Sequence, residues 1–368
     1  MKRFLRSAVV AGAVAIGATV VTGQVVPELA YDANVDVVQF PVYGEVAGVA
    51  TDSRGNIYAY VRAGMPTATL GHERTFYHGH SRLFKFDSTG KFIREVANGT
   101  YAADFAQNVR VDAKDNVWMV DAGSNMVVQY DSEGRFVQVY GRKPESIPVR
   151  PGPGVPARAI DPLPMPAPVA PGAAAAPGMP AVPPGTGVRG DSFNRPTDVA
   201  WDKAGNAYIA DGFGNNNRIA KFGPDGNFID SWGRTGSNPG EFNGVRGVAV
   251  DAAGNIYVAD AGNRRIQVLN PQGKYLRAIT GVGAPMAICL TNSSPQYLYS
   301  SNSNDPERLD NGEIYKIALN GSIVGRFGRA GKIAREFSVV NGLDCRSDNN
   351  LLVAEIGNWR VQRVTVKR

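Results

Sequence analysis

The chain has three histidines, and all of them fall in one short stretch, Gly71-His72-Glu73-Arg74-Thr75-Phe76-Tyr77-His78-Gly79-His80. On an extended segment a His-x-His pair turns both imidazoles to one side. His78 and His80, with His72 or Glu73 folded back, would therefore offer Zn²⁺ or Cu²⁺ three ligands. The bland alternative is a polar loop whose histidines do nothing together, since the spacing matches no defined metal motif. Arg62, at the base of the same loop, could clamp a carboxylate in bidentate fashion or simply face solvent. No Gly-x-Ser-x-Gly elbow, phosphate-binding glycine loop or EF-hand loop is present.

Composition narrows the chemistry further. Only Cys289 and Cys345 occur in 368 residues, which rules out cysteine-based zinc ribbons, iron–sulfur clusters and a disulfide-dense scaffold. Lys and Arg outnumber Asp and Glu by 39 to 33, and three of the basic residues, Lys2, Arg3 and Arg6, stand at the N-terminus. The remaining excess is too small and too scattered for nucleic acid. That basic start, the uncharged run from Ala8 to Val21 and the small residues before Gln24 read as a secretory signal peptide over residues 1–23. The run is shorter than the roughly 20 residues a spanning helix needs. We therefore expect a secreted or periplasmic protein with no membrane span after cleavage, with a retained N-terminal anchor as the lesser alternative. An oxidising compartment would permit a Cys289–Cys345 bridge, which sequence alone leaves open.

The histidine loop must be positioned by what surrounds it, and the surroundings repeat. A short β-type run, an Asp-x-x-Gly-Asn turn, a second run, a third run and a further glycine turn recur along the chain. The first turn is clearest at Asp52–Asn56, Asp202–Asn206 and Asp251–Asn255, and the second at Asp87–Gly90, Asp131–Gly134 and Asn270–Gly273. Between them, runs such as Ile57-Tyr58-Ala59-Tyr60 and Ile256-Tyr257-Val258-Ala259 are β-branched and aromatic, with no helical period. A repeat of ~50 residues fits a four-stranded propeller blade, and six copies can be counted. The expected fold is all-β, a six-bladed β-propeller of four-stranded antiparallel blades over residues 34–368. The last copy lacks a fourth strand, and Val35–Phe40 is expected to supply it and so latch the ring.

Three long insertions, Arg62 to Ser81, Pro144 to Gly190 and Asn302 to Gly312, all fall on the face that carries the second-to-third-strand and inter-blade connections. That face is the expected functional surface, although loops on any face tolerate insertion. The segment 144–190, between blades two and three, holds 14 of the 24 prolines and almost no core-forming residue. It reads as a disordered or polyproline-like insertion within one domain. Arg218, Arg265 and Arg360 begin third strands after Asp211, Asp260 and Glu355, as structural pairs would. The recurring Tyr58, Trp118, Tyr208, Tyr257 and Tyr299 fit packing between blades.

The units, above all Pro196–Asp202 and Asp211–Phe228, resemble NHL-repeat propellers, and among these the peptidyl-α-hydroxyglycine α-amidating lyases. The resemblance implies a zinc held by three histidines at the mouth of the channel, with an arginine and a tyrosine beside it, cleaving a carbinolamide to an amide and glyoxylate. Arg62 stands where that arginine would, while Phe213 replaces the tyrosine. Asn125, Arg246 and Asn341 stand where the zinc histidines would align. An arginine cannot ligate a cation, so the family's metal site is expected to be dismantled.

Two expectations follow. The first is a monomeric, non-catalytic or catalytically altered exported propeller that binds a peptide, protein or small anionic ligand through Arg62, Arg246, Asn341, Asn125 and Phe213. The second is a lyase in which Arg62 is catalytic and a zinc or copper site has been rebuilt from His72, His78 and His80.

Overall fold

A computed structural model describes residues 26–63, the strand pairs 68–69 and 75–76, 81–142, 190–214, 216–303 and 312–367. Six four-stranded antiparallel sheets are arranged as the blades of a propeller. The inner strands are Glu45–Thr51, Ala106–Val111, Pro196–Trp201, Val245–Val250, Pro285–Leu290 and Val340–Ser347. Each is followed outward by its sequence neighbours, and every inner strand packs against those of the adjoining blades.

The repeated aspartate explains the tight turns. Asp52 Oδ1 accepts the amides of Arg54 and Asn56, and Gly55 takes a φ of +81° that a side chain would resist. The other carboxylate oxygen of these aspartates holds the recurring aromatic of the second strand. Trp118 Nε1 lies 2.9 Å from Asp112, Tyr208 Oη 3.0 Å from Asp202 and Tyr257 Oη 3.2 Å from Asp251. These rings are buried and belong to the packing of the blades, as their periodicity implied. The arginine pairs are also structural: Arg218–Asp211 at 3.0 Å, Arg265–Asp260 at 2.8 Å and Arg360–Glu355 at 2.7 Å, all with buried carboxylates.

An N-terminal strand does complete the last blade, but it is Tyr31–Asn34 and not Val35–Phe40. It pairs antiparallel with Arg360–Val366, Tyr31 opposite Val366. Tyr31 decides the position, because its ring packs 4.9 Å from Phe327 in the core shared by blades five and six. The strand then ends where Asn34 Oδ1 accepts the amide of Asp36. Val35–Phe40 runs on to blade one: Gln39 N donates to Gly90 O, and Phe40 meets Phe86 edge-on at 5.4 Å. Upstream, Leu29 N and Arg326 O close a further bond to blade five. Residues 27–40 thus clasp three consecutive blades and cover edges that would otherwise be open. Cys289 and Cys345, on the inner strands of blades five and six, form a disulfide.

The strand order puts the second-to-third-strand connections and the inter-blade connections on one face, with tight turns on the other. The ends of all three insertions lie on the former. The insertion 144–190 and the segment 304–311 are outside the described residues, apart from Gly190. No helix among the described residues is long and apolar enough to cross a membrane.

Candidate functional site

Every inner strand carries a β-bulge near its loop-rich end, at Ala47, Gln107, Thr197, Arg246, Met286–Ala287 and Asn341. A bulge re-aims a side chain without ending the strand. Here it brings one residue per blade to the mouth of the central channel. Asn341 is used up there as a strut, its Nδ2 donating to Ala47 O at 2.5 Å and Gln107 O at 2.7 Å.

Deeper in, one ion pair spans the axis. Arg110 Nε and Nη2 meet Asp198 Oδ1 and Oδ2 at 2.8 and 2.7 Å. The same guanidinium donates to Leu343 O and Ile288 O, both at 2.9 Å. Asp198 also accepts from Asn108 Nδ2 and Val248 N. This pair joins five blades, from two to six. Burial opposes the charge on Arg110, but the adjacent carboxylate outweighs it and holds the guanidinium above its ordinary pKa. On the tight-turn side lies a cavity of about 420 Å³ with walls from all six blades, including Val49, Trp201 and Cys345. The arginines described next lie on the other side of the pair.

At the loop-rich mouth three guanidinium groups and two phenyl rings alternate. Arg62 stacks on Phe105 at 3.7 Å, Arg195 lies 6.0 Å from Phe105 and 4.1 Å from Phe213, and Arg246 lies 4.2 Å from Phe213. The row draws on blades one to four. At its first end Arg62 is paired with Glu45 at 2.9 Å and donates to Ala106 O at 2.7 Å. At its other end Arg246 Nη1 is buried with no hydrogen-bond partner in the structure. Burial, and then the charges of Arg195 and Arg62, push Arg246 down to about 10. A cation held at such cost, with a donor unspent, is half of an anion site.

The row is held from behind by backbone contacts. Arg195, at a φ of +63°, gives its amide to Asn125 Oδ1 at 2.8 Å, and its carbonyl accepts Phe213 N at 3.2 Å. Phe105 N donates to Asp121 Oδ2 at 2.7 Å, which also accepts the Tyr60 hydroxyl at 2.7 Å. Burial pushes the Asp121 carboxyl up to about 6.

The structure brings Arg62, Arg246 and Phe213 together in one row. Asn341 lies among the channel struts, and Asn125 acts on the backbone of Arg195. Sequence reasoning missed Arg195, Phe105 and the Arg110–Asp198 pair. One signal was available for the first two. The residue just before each inner strand is Gly44, Gly244, Ala284 or Val339 in four blades but Phe105 and Arg195 in the others. The family's zinc does not fit these residues: Arg246 is a cation, Asn341 turns its amide to carbonyls, and Asn125 Oδ1 is occupied by an amide. His72, His78 and His80 lie outside the described residues, and among the described residues no group of His, Cys, Asp or Glu is placed to hold a metal ion.

Residues 242–269 match the model of the NHL repeat. That unit is one of the six four-stranded blades, so the chain is a six-bladed β-propeller in which the NHL model matches one repeat. No curated protein matches it in sequence. Solved structures similar to it include a streptogramin B lyase, 14% identical with a TM-score of 0.52, covering 92% of this chain and 98% of that one. Virginiamycin B lyase from Staphylococcus aureus is 11% identical with a TM-score of 0.52, covering 92% and 100%. A protein of unknown function from Bacteroides thetaiotaomicron is 13% identical with a TM-score of 0.56, covering 92% and 77%. At these identities the likeness is one of fold.

Proposed function

We propose that this propeller is an exported binding scaffold that takes an anionic group of a peptide, protein or small molecule at its loop-rich mouth. The observation that carries the reading is Arg246: half-buried, charged at neutral pH, and with a buried Nη1 left unpartnered beside two further guanidinium groups. A carboxylate or phosphate there would satisfy the orphaned donor and offset the repulsion that depresses its pKa. Phe213 holds the planes of Arg195 and Arg246, so little rotamer freedom is left to lose on binding. Export is supported by the basic, then apolar, N-terminal sequence and by the Cys289–Cys345 bridge, which an oxidising compartment maintains. A thermal-shift and calorimetric screen with acetate, citrate and phosphate tests the binding reading. Citrate or phosphate should raise the melting temperature of the parent, with an effect that weakens in salt. No shift with any of the three anions would refute it.

A second reading is a lyase whose metal is held by His72, His78 and His80. It is favoured by one observation, that the histidine-bearing loop departs directly from Arg62, at the end of the arginine row. Solved lyases share the fold, and one is a catalytically inactive histidine-to-alanine form of the Staphylococcus aureus enzyme with quinupristin. Metal analysis of the purified protein tests it. Stoichiometric zinc or copper that disappears in His78→Ala/His80→Ala supports the lyase, and metal-free protein excludes it.

A further inference from the structure

Among the described residues, the large apolar side chains left exposed in the connections between strands are not scattered. The outermost strands expose such side chains in blades one to five, two of them in blade one and three in blade two; outside these strands the described residues contain five: Val42, Tyr43, Tyr101, Ile333 and Trp359. Tyr43 is 69% exposed, Tyr101 65%, Ile333 65% and Trp359 52%. All five lie on the loop-rich face. Ile333 is in the connection from blade five to six, Val42 and Tyr43 in that from six to one, and Tyr101 in that from one to two. Trp359 is in a turn of blade six that Arg360 ties to Ile333 O at 3.1 Å. They occupy three consecutive junctions, while the connections from blade three to four and from four to five expose only polar or small residues such as Arg234, Ser237 and Asn238. Among the described residues the tight turns themselves expose none.

This arc meets the arginine row. Tyr43 stands two residues before Glu45, the partner of Arg62, and Tyr101 shares its connection with Phe105, on which Arg62 stacks. We infer that the arc and the arginine mouth form one docking surface for an extended polypeptide segment that carries an acidic side chain beside apolar ones. Tyr, Trp and Arg are the residue types that carry binding energy at protein interfaces, and clustered exposed apolar side chains mark such surfaces. Charge complementarity fixes the partner's anion: Arg246 Nη1 is buried at the mouth without a hydrogen-bond partner, in one row with the guanidinium groups of Arg195 and Arg62.

The inference rests on the binding function proposed above and names the partner class of that site. Selection of a displayed random-peptide library on the full chain tests it. Recovered peptides should be enriched in Asp or Glu next to apolar residues. Synthetic copies should bind Tyr43→Ala and Trp359→Ala about tenfold more weakly than the parent, and Arg246→Met more weakly still. Both alanine variants replace exposed side chains, and an unchanged melting temperature certifies their fold. Failure to enrich acidic peptides, or affinities indifferent to Tyr43 and Trp359, would overturn the docking surface. If citrate still binds through Arg246 in that case, the anion site stands without it; if citrate fails too, the underlying reading has failed.

Discussion

The guanidinium of Arg246 lies 4.2 Å from the ring of Phe213, and that of Arg195 lies 4.1 Å from the same ring. Two like charges are thus held on one small apolar anchor, with Arg246 Nη1 unpaired. An arrangement that is unfavourable when empty and relieved by an anion trades stability for binding. Arg246→Met should therefore raise the melting temperature of the free protein by roughly 2 °C or more and abolish any shift produced by citrate. Differential scanning calorimetry with and without citrate checks both halves. A variant that melts lower than the parent would show that the guanidinium has a stabilising partner.

Asp121 holds the Phe105 end of the row, and its carboxyl sits at about 6 instead of the ordinary 3.8, chiefly through burial. The native state thus holds this proton more tightly than the unfolded chain does. The resulting stability is fully present below about pH 4 and is lost as pH rises through about 6. Asp121→Asn cannot titrate, so the stability gap between parent and variant should be larger at pH 4 than at pH 7. Urea unfolding of both proteins at the two values measures it, and a gap that widens towards pH 7 would reverse the assignment.

The ion pair across the axis should be costly to break from one side. Arg110→Leu leaves the buried Asp198 carboxylate without its cation, and a loss of about 3–5 kcal/mol is expected. Replacing both, Arg110→Leu/Asp198→Leu, should cost less than the sum of the two single changes, because no lone charge remains. Chemical denaturation of the four proteins closes the cycle, and strict additivity would mean that the two groups do not act together.

The Cys289–Cys345 bridge encloses a separation of 56 residues and joins the same two blades that Tyr31 clasps. Chain-entropy arguments give it roughly 4 kcal/mol at most. Reduction, or Cys289→Ser/Cys345→Ser, should lower the melting temperature by several degrees without loss of the propeller. Thermal unfolding with and without reductant decides this, and identical melts would remove the bridge from the account of stability.

Much of the ring was legible because the turns are local chemistry. Asp52, Asp112, Asp202 and Asp251 each cap their own turn, so the repeat of the sequence is the repeat of the blade. The latch was legible in kind but not in place: Val35–Phe40 has the stronger β-pattern, yet packing of Tyr31 against Phe327 and Phe337 set the register. At the mouth, Arg246 and Phe213 were singled out because they depart from a family pattern, and Arg62 because it keeps to it. Arg195 and Phe105 are marked in the sequence only by standing where the other repeats have Gly44, Gly244, Ala284 and Val339, and their meeting depends on neighbouring blades. Asn341 has the right address but is held by carbonyls that come from other blades, Ala47 O and Gln107 O.

The claim that an anion belongs beside Arg246 is tested most directly by soaking crystals in bromide and locating it from its anomalous signal. The account predicts a leading peak within hydrogen-bonding reach of Arg246 Nη1, between the planes of Arg195 and Arg246, and its loss in Arg246→Met. Bromide distributed over surface lysines and arginines, with no density at the loop-rich mouth, would contradict it.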